Sequence, residues 1–377
     1  MEWKWRRGVA VPALAALAVG LAACGSSNDS NQPESTSGSK KAVLSSVPKP
    51  ITRPPTTIPI SAPMKAPAPK GKTFFWLQCE VPICAKITKG VKAATAAMGW
   101  NLKTMIFKAA APGAGIESAL QEKPDVIGVV GIPSAAVRPQ LAAAAKAGIP
   151  VLACGGPEQA SPTTYRGICG NTTEPDGEQM ARWAIRDSGG EAHMVTVTIG
   201  DYPSLATTVN GINKTAKKYC PQCSTDVLNV TIDDLGQGQV ASKLVAYLQS
   251  HPKVNYVLFT FADLQAGVPA ALTSAGFAKK VTAVGNGAAE AQFQALANGA
   301  HEAWLAYPAV LEGWMLLDAA ARLVSDGKLP DGYQKQLDHL PTYVVDTAAA
   351  AKALAPSYDW DGPTNYQEQF KSLWKVG

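Results

Sequence analysis

The chain has 377 residues, of which 46% are hydrophobic, and a formal net charge of +5 at neutral pH. Its length exceeds what one hydrophobic core usually organises, so two lobes are expected. The positive charge is modest and partly confined to the N-terminal segment, and no dense Lys/Arg patch or nucleic-acid motif is present. The composition therefore excludes a nucleic-acid-binding protein.

The N-terminus is typical of a secretory signal, residues 1–23. A basic start that includes Arg6 and Arg7 precedes an apolar stretch too short to span a bilayer comfortably. The stretch ends in Leu-Ala-Ala-Cys, which resembles a bacterial lipobox. We therefore expect cleavage after residue 23 and lipidation of Cys24, with a chance cysteine at an ordinary cleavage site as the alternative.

Residues 24–71 are predicted to form a disordered tether. They are rich in Ser, Pro, Thr, Asn and Lys and almost free of aromatic residues. Such a segment cannot bury enough apolar surface to offset its ordering entropy. Its prolines, as in PKPITRPPTTIP, favour extended conformations. We expect this tether to connect a lipid anchor to a folded body outside the cytoplasm.

The rest of the chain alternates short apolar runs with helical patterns, as parallel α/β proteins do. Two series of strands are predicted. The first comprises Thr73–Gln78, Asn101–Phe107, Val126–Gly131, Pro150–Cys154 and Tyr165–Cys169. The second comprises His193–Gly200, Thr225–Thr231, Tyr256–Phe261, Val281–Gly285 and Ala303–Tyr307, followed by a helix over Leu311–Ser325 and a last strand over Tyr343–Val345.

Three motifs follow the first strand and its helix in a fixed order: PDVIGVVGIPS, AAAKAGIPVL, and LTSAGF with VTAVGNG. In this order the chain resembles the ribose-binding-like (type I) periplasmic binding proteins, over roughly residues 72–346. The resemblance implies an α/β fold of two Rossmann-like lobes with parallel sheets, a three-crossing hinge and a cleft between the lobes. Sugar-responsive repressors share this body but begin with a DNA-binding unit, where this chain has a signal.

The resemblance also implies the extent of each lobe. The N-terminal lobe would take residues 72–170 and 308–328, and the C-terminal lobe residues 171–307 and 329–350. Residues 351–377 would form a C-terminal extension, whose aromatic residues favour packing over disorder.

In open parallel sheets, ligands bind beyond the carboxyl ends of the strands. The residues that follow each strand are therefore the predicted ligand site. They are Gln78, Cys79, Glu80, Ile83, Cys84, Pro133, Gly155, Gly156, Asp201, Tyr202, Thr207, Thr208, Phe261, Asp263, Asn286 and Tyr307.

The predicted site departs from the pattern of sugar-binding relatives. An Asp-Arg pair expected after the Pro-Val-Leu strand is replaced by Gly155 and Gly156, and an expected arginine falls at Thr207 or Thr208. Fewer hydrogen-bonding groups predict a bulkier, less polar solute than a free pentose or hexose, such as an aromatic or alicyclic compound. Trp304 is either an apolar wall of this site or a core residue.

Six cysteines remain after Cys24, and an even number in an exported protein favours disulfides. Cys220 and Cys223 follow a helix, where the dipole disfavours a thiolate, so a structural clip is predicted rather than a redox pair. Cys154 and Cys169 end the fourth and fifth strands and are predicted to pair. This leaves Cys79 with Cys84 in the turn after the first strand.

No nucleophile elbow, helical histidine pair or dinucleotide-binding glycine pattern is present, so we predict no enzymatic activity, no metal and no cofactor. The resemblance implies a monomeric, lipid-anchored solute-binding protein outside the cytoplasm. It would close on a small solute and dock onto the membrane permease of an ABC importer. The alternatives are a sensory binding protein that serves a membrane receptor, and a thiol oxidoreductase that uses Cys220 and Cys223.

Overall fold

The structure is a computed structural model that describes residues 44–108, 110–155, 166–200 and 202–377. The predicted signal segment, the lipidation site Cys24 and the tether up to residue 43 lie outside the described residues. So do Gly156 and Asp201 of the predicted ligand site.

Eleven strands in the described chain form two sheets. They are β1 (Thr73–Gln78), β2 (Asn101–Ile106), β3 (Val126–Val130), β4 (Val151–Cys154), β5 (Arg166–Cys169), β6 (His193–Thr198), β7 (Ser224–Asn229), β8 (Tyr256–Phe259), β9 (Thr282–Gly285), β10 (Ala303–Ala306) and β11 (Tyr343–Val345). Each predicted strand is present, with ends shifted by at most two residues. Those end residues belong to the turns that leave the sheets, where they can line a cleft.

Thirteen helices in the described chain cover the sheets. They are α1 (Pro82–Met98), α2 (Pro112–Gln121), α3 (Arg138–Lys146), α4 (Glu174–Asp187), α5 (Pro203–Tyr219), α6 (Ile232–Gly236), α7 (Val240–Ser250), α8 (Val268–Ser274), α9 (Glu290–Ala297), α10 (Ala309–Asp326), α11 (Tyr333–Leu337), α12 (Ala348–Lys352) and α13 (Tyr366–Trp374). Two 3₁₀ turns follow β3 and β8, at Ser134–Val137 and Ala262–Gln265. Within the described residues, no helix is long and apolar enough to cross a bilayer.

The two sheets repeat one strand order. The first lobe has the order β2-β1-β3-β4-β5 and is entirely parallel, while the second has β7-β6-β8-β9-β10-β11, with only β11 antiparallel. In each sheet the order reverses between the first and third strand of the series. Ligands of such folds bind at this switch point, beyond the carboxyl ends of the strands. The two-lobed α/β fold predicted from the sequence is confirmed.

Two helices, α1 and α10, pack face to face in the first lobe because glycines let their backbones meet. A Cβ built on Gly90 would lie 1.9 Å from the carbonyl oxygen of Val310, and one on Gly313 would lie 2.3 Å from the backbone nitrogen of Val91. Only glycine fits such a close approach. This contact places the start of α10 beside the cleft.

The chain passes between the lobes after β5, after β10 and after α11, and its C-terminal extension then returns to the first lobe. Tyr333 and Leu337 of α11 still belong to the first-lobe core. Tyr366, Phe370 and Trp374 of α13 belong to the first-lobe core, and the Trp374 ring stacks on Trp314 of α10 with centroids 5.2 Å apart. The aromatic residues of the extension are thus packed, as their number predicts.

The prediction of a disordered tether is wrong for residues 44–71. Val47 is 2% exposed in the core of the second lobe, and Ile58, Ile60 and Met64 lie in the core of the first. An extended, proline-rich backbone forms no internal hydrogen bonds, so it can lie in surface grooves and bury one isolated apolar side chain at a time. We call residues 44–68 the N-terminal strap.

Hydrogen bonds fix the strap to both lobes. Arg186 Nη1 of α4 donates to the carbonyl oxygens of Leu44 and Val47, each at 2.8 Å. Ile51 donates to Gln179 Oε1 and accepts from the backbone N–H of Val344 in β11. Further along, the amides of Met64 and Ala68 donate to carbonyl oxygens of α13. The strap therefore connects the second lobe to the first, alongside the hinge.

We predict that Arg186→Met releases the strap from the second lobe. Both carbonyl oxygens lose a charge-assisted hydrogen bond, and such bonds are worth about 1.5–3 kcal/mol each. The amides of Ile51 and Val344 should then exchange with solvent faster in hydrogen-exchange measurements. The matched control is Arg182→Met, because Arg182 lies on the same helix and pairs with Glu178 instead. Unchanged exchange at Ile51 in the Arg186 variant would contradict the anchoring role.

Candidate functional site

A cavity of about 160 Å³ lies between the two lobes, at the facing switch points. The first lobe contributes the turn after β1, the start of α1 and the ends of β3 and β4. The second lobe contributes the turns after β6, β8, β9 and β10. The lining residues are Cys79, Val81, Ile83, Cys84, Ile87, Val130, Gly131, Cys154, Gly155, Gly170, Thr173, Tyr202, Ser204, Leu205, Ile232, Thr260, Phe261, Asn286, Gly287, Tyr307 and Glu312.

Half of the sixteen predicted ligand residues line this cavity. They are Cys79, Ile83, Cys84, Gly155, Tyr202, Phe261, Asn286 and Tyr307. Cys79, Gly155, Asn286 and Tyr307 follow directly on strands, whereas Ile83 and Cys84 lie in the first turn of α1. The rule that ligands sit beyond strand ends therefore points to the same region as the cavity, although it does not select the side chains that line it.

Gln78 and Glu80 lie outside the cavity, contrary to the prediction. Gln78 Oε1 accepts a hydrogen bond from the Thr88 hydroxyl at 2.6 Å, so its side chain turns towards α1 within the first lobe. Glu80 is exposed, and its carboxylate pairs with Lys108 Nζ at 2.8 Å. Both polar groups satisfy local partners, and the apolar Val81 and Ile83 face the cavity in their place.

Thr207 and Thr208 also lie outside the cavity. Thr207 Oγ1 accepts from the backbone N–H of Thr173 at 2.8 Å, and the Thr208 hydroxyl lies 2.6 Å from the Thr173 hydroxyl. They join α5 to the start of α4. Pro133 precedes the first 3₁₀ turn and is likewise not among the lining residues.

Asp263 lies at a contact between the lobes and does not line the cavity. Burial raises the pKa of its carboxyl group, while a hydrogen bond from the backbone N–H of Ile83 lowers it, with a net rise. That N–H belongs to the first turn of α1, where a helix attracts negative charge. A Cβ on Gly287 would lie 3.6 Å from Cδ1 of the same isoleucine. Side chains of the two lobes thus meet across the cleft, as they do in a closed conformation.

Trp304 is a core residue and not a wall of the cavity. Its side chain is fully buried and stacks on Phe259, with ring centroids 6.1 Å apart. The side chains along a strand alternate between its two faces. The ring of Trp304 packs on one face of the second sheet, directly against Gly285 of the neighbouring strand β9.

The floor of the cavity holds a buried carboxyl group, that of Glu312 in the first turn of α10. Glu312 is 3% exposed, and the Tyr307 hydroxyl donates a hydrogen bond to its Oε1. Burial raises the pKa of Glu312 to about 7, against the effect of that hydrogen bond. The neighbouring carboxyl and burial also raise the pKa of Tyr307. Near neutral pH this pair can therefore accept or release a proton.

A second acceptor belongs to Asn286, which also lines the cavity. Asn286 is 4% exposed, and its Nδ2 donates to Asp176 Oδ2 at 3.3 Å. Asp176 also accepts from Thr342 Oγ1 at 2.6 Å and lies 3.1 Å from His339 Nε2. Because the amide nitrogen is held by the carboxylate, Oδ1 of Asn286 is buried without a partner. A ligand that donates a hydrogen bond would satisfy it.

The cysteines bond in three local pairs: Cys79 with Cys84, Cys154 with Cys169, and Cys220 with Cys223. These are the pairs expected from the sequence. The first pair joins the turn after β1 to the start of α1, so it holds one wall of the cavity. The third closes the turn between α5 and β7, and neither of its cysteines lines the cavity. Among the described residues, no cluster of His, Cys, Asp or Glu side chains could hold a metal ion.

Comparison of the sequence with models of known protein families identifies the family of this chain. The family described as periplasmic binding protein domain matches residues 70–329. The chain belongs to this family. No curated protein matches the chain significantly.

Solved structures of similar fold come from several bacteria. An ABC transporter solute binding protein from Mycobacterium smegmatis with bound glycerol has a TM-score of 0.65 and 18% identity, covering 78% of this chain and 100% of its own. A 5-methylthioribose transporter solute binding protein from Thermotoga lettingae has a TM-score of 0.64 and 16% identity, covering 84% and 99%. A periplasmic ribose ABC transporter from Conexibacter woesei has 0.63 and 18%, covering 78% and 97%. At these identities the likeness concerns the fold.

Sequence reasoning missed Glu312 as a residue that lines the cavity of this periplasmic binding protein. It lies in the run PAVLEGWMLL, which reads as a buried helix and forms α10. The available signal is the acid itself, since a carboxyl group in an apolar helical face is rarely left without a function or a partner. Ser204, Leu205 and Ile232 were also missed, because they belong to helix starts and not to strand ends.

We predict that Glu312→Gln changes how the stability of the ligand-free protein depends on pH. The carboxyl pKa is raised from 4.5 to about 7 on folding, so the folded state binds the proton more tightly. Stability relative to the variant should therefore fall as pH rises from about 4.5 to about 7, by about 3 kcal/mol in total, and stay level outside this window. Denaturant unfolding at four pH values would measure the difference. The exposed Glu368→Gln is the control, and a flat or rising difference curve would contradict the prediction.

Proposed function

We propose that this periplasmic binding protein captures a small solute outside the cytoplasm by closure of its two lobes and delivers it to the permease of an ABC importer. The observation that supports the proposal is the cavity at the facing switch points, lined by both lobes and bridged by Ile83. A solute held there contacts both lobes at once. Binding would therefore favour the closed conformation, since only that conformation offers both sets of contacts.

We propose a compact ring compound, less polar than a free pentose or hexose, as the solute. Three aromatic and several aliphatic side chains line the cavity, among them Tyr202, Phe261 and Ile83. Its volume of about 160 Å³ is close to that of an engineered 150 Å³ cavity that binds benzene. Two of its hydroxyl groups, those of Thr173 and Thr260, already have partners within the protein.

The molecules bound to the structural neighbours indicate the size of solute to expect. Their bound molecules are small: 5-methylthioribose in the protein from Thermotoga lettingae and glycerol in that from Mycobacterium smegmatis. A free sugar needs a protein partner for each hydroxyl group in a closed cleft, because an unpaired buried group costs about 1–3 kcal/mol. The cavity of this chain offers few open polar groups, which favours a solute with one polar end.

We further propose attachment to the outer face of the cell membrane through a lipid on Cys24, with the protein acting as a monomer. The signal and the lipobox-like sequence support the anchor. The described chain begins with the strap on the second lobe, so the anchor would connect there. The three disulfides agree with an oxidising compartment. Cys220 and Cys223 lie outside the cavity, and this position does not favour a thiol oxidoreductase.

A thermal-shift screen of the purified mature protein would test solute capture. Cyclohexanol, cyclohexylamine, catechol and phenol would represent the ring compounds, with ribose, glucose, myo-inositol and glycerol as the polyols. A bound solute increases the free energy of unfolding by RT ln(1 + [L]/Kd), which is about 2.7 kcal/mol at a solute concentration one hundred times Kd. The melting temperature rises as a result. We expect at least one ring compound to stabilise the protein more than any free sugar. Strong stabilisation by ribose or glucose alone would overturn the proposed polarity of the cleft.

A further inference from the structure

The charges around the cavity are unevenly distributed. Among the described residues that line it, Glu312 is an acid and none is a lysine, arginine or histidine. Asp176 adds a second buried carboxylate behind Asn286, at 1% exposure. Asp176 in turn contacts His339, whose Nε2 lies 3.1 Å from its Oδ1. The cavity therefore offers no positive group to an anionic solute.

Two residues that line the cavity, Asn286 and Glu312, carry buried acceptor atoms. Oδ1 of Asn286 is buried without a partner, and the contact of Nδ2 with Asp176 fixes which amide atom faces away from that carboxylate. The carboxyl group of Glu312 is the other acceptor, joined to Tyr307. Tyr307 connects the two, because its Cβ would lie 4.0 Å from a Cβ on Gly287, the neighbour of Asn286. The two acceptor-bearing residues thus both lie near Tyr307.

Aromatic rings form much of the remaining surface. Tyr202, Phe261 and Tyr307 each line the cavity from the second lobe. The faces of aromatic rings attract cations, and the attraction is stronger where water is excluded. A neutral hydroxyl group would gain from the acceptors but not from the rings. An ammonium group gains from both and also supplies the counter-charge that buried Glu312 lacks.

We propose that the solute carries a protonated amine on a compact apolar ring, with the ammonium group between Glu312 and Asn286 and the ring against Ile83 and Phe261. This inference rests on the proposed solute capture and names its chemical class. The ammonium group donates to the Glu312 carboxylate and to Oδ1 of Asn286. The apolar body fills the part of the cavity next to the Cys79–Cys84 turn.

Proton release on binding follows from this arrangement. Glu312 is partly protonated in the ligand-free protein near pH 7, because burial raises its pKa to about 7. An ammonium group beside the carboxyl favours the charged form, so binding expels the proton to solvent. Other titratable groups at or behind the cavity in the described chain include Tyr202, Tyr307, Asp176 and His339. Tyr307 and Asp176 are already hydrogen-bonded within the protein. A neutral ring alcohol would release no proton from Glu312.

Three probes that share one ring would test the proposal on the mature protein by isothermal titration calorimetry at pH 7. They are cyclohexylamine, cyclohexanol and cyclohexanecarboxylate, with myo-inositol as a polyol. We expect the amine to bind at least about tenfold more tightly than the alcohol, equivalent to 1.4 kcal/mol, and the carboxylate not to bind. Titrations in buffers of different ionisation enthalpy should show proton release with the amine alone.

Glu312→Gln should remove both the preference for the amine over the alcohol and the proton release. The matched control is Glu302→Gln, since Glu302 is a half-buried acid that bonds Trp304 and does not line the cavity. Equal or tighter binding of the alcohol, or an amine preference that survives Glu312→Gln, would overturn the inference. If only polyols bind, solute capture stands and the amine proposal fails; if no probe and no solute of the wider screen binds, both fail.

Discussion

Arg322→Met should destabilise the protein by about 3–5 kcal/mol, the usual cost of removing one partner of a buried ion pair. Asp318 is 0% exposed, and Arg322 donates to it from Nε at 2.7 Å and from Nη2 at 3.2 Å. Without the guanidinium, a buried carboxylate would remain without its counter-charge. Denaturant unfolding monitored by circular dichroism would measure the change in the free energy of unfolding.

The same pair joins α10 to three other segments of the chain. Asp318 also accepts from the Tyr333 hydroxyl and from Trp374 Nε1, and Arg322 donates to the carbonyl oxygen of Ala62 at 2.6 Å. The strap and the C-terminal extension thus meet at one charged centre inside the first lobe. We therefore expect Arg322→Met to loosen both segments together.

Lys371→Met serves as the control for the Arg322 variant. Lys371 forms an ion pair with Glu368 on the surface of α13, at 2.8 Å. Exposed pairs of this kind contribute about 0–1 kcal/mol. A loss of less than about 1 kcal/mol in the Arg322 variant, or an equal loss in both variants, would contradict the buried-pair account.

Phe261→Ala should weaken binding of the cleft solute by about thirtyfold or more, because a large aromatic contact at the centre of a site often carries 2 kcal/mol or more. Phe261 follows β8, and its half-buried ring lines the cavity from the second lobe. Its loss leaves a space that the solute cannot fill. Calorimetric titration with the best solute of the screen would measure the effect, well below the melting temperature of each variant.

Phe277→Ala is the matched control for Phe261. It is a half-buried phenylalanine of the same lobe that does not line the cavity, and Lys280 Nζ lies 5.2 Å from its ring centroid. Its truncation should lower stability but leave affinity within about threefold. A change below threefold in the Phe261 variant would show that this side of the cleft does not contact the solute.

The strands and the switch points could be predicted from the sequence, because both depend on local patterns. The run Thr73–Leu77 is apolar, and turn residues interrupt it at once. Such contrasts in hydrophobicity fix strand ends to within two residues and, through the parallel topology, the side of the sheet where a ligand binds. Tyr202, Phe261 and Asn286 were located on this basis.

The features that could not be predicted from the sequence depend on contacts between segments that are far apart in the chain. Glu312 reaches the cavity because α10 packs on α1. The acid stands out in its apolar helix, but the helix sequence does not show which other segments surround it. The composition of the strap resembles that of disordered chains, and its isolated apolar residues become buried only against grooves formed by both lobes. Asp263 follows a strand as a ligand residue would, yet it contacts the Ile83 amide when the lobes are closed.

Small-angle X-ray scattering of the mature protein, with and without the best-binding solute of the screen, tests the central claim most directly. The claim is that a solute in the cavity between the lobes holds them closed. The account predicts a smaller radius of gyration at saturating solute, and loss of this contraction in Phe261→Ala at the same solute concentration. An unchanged radius of gyration at proven saturation would contradict capture by lobe closure.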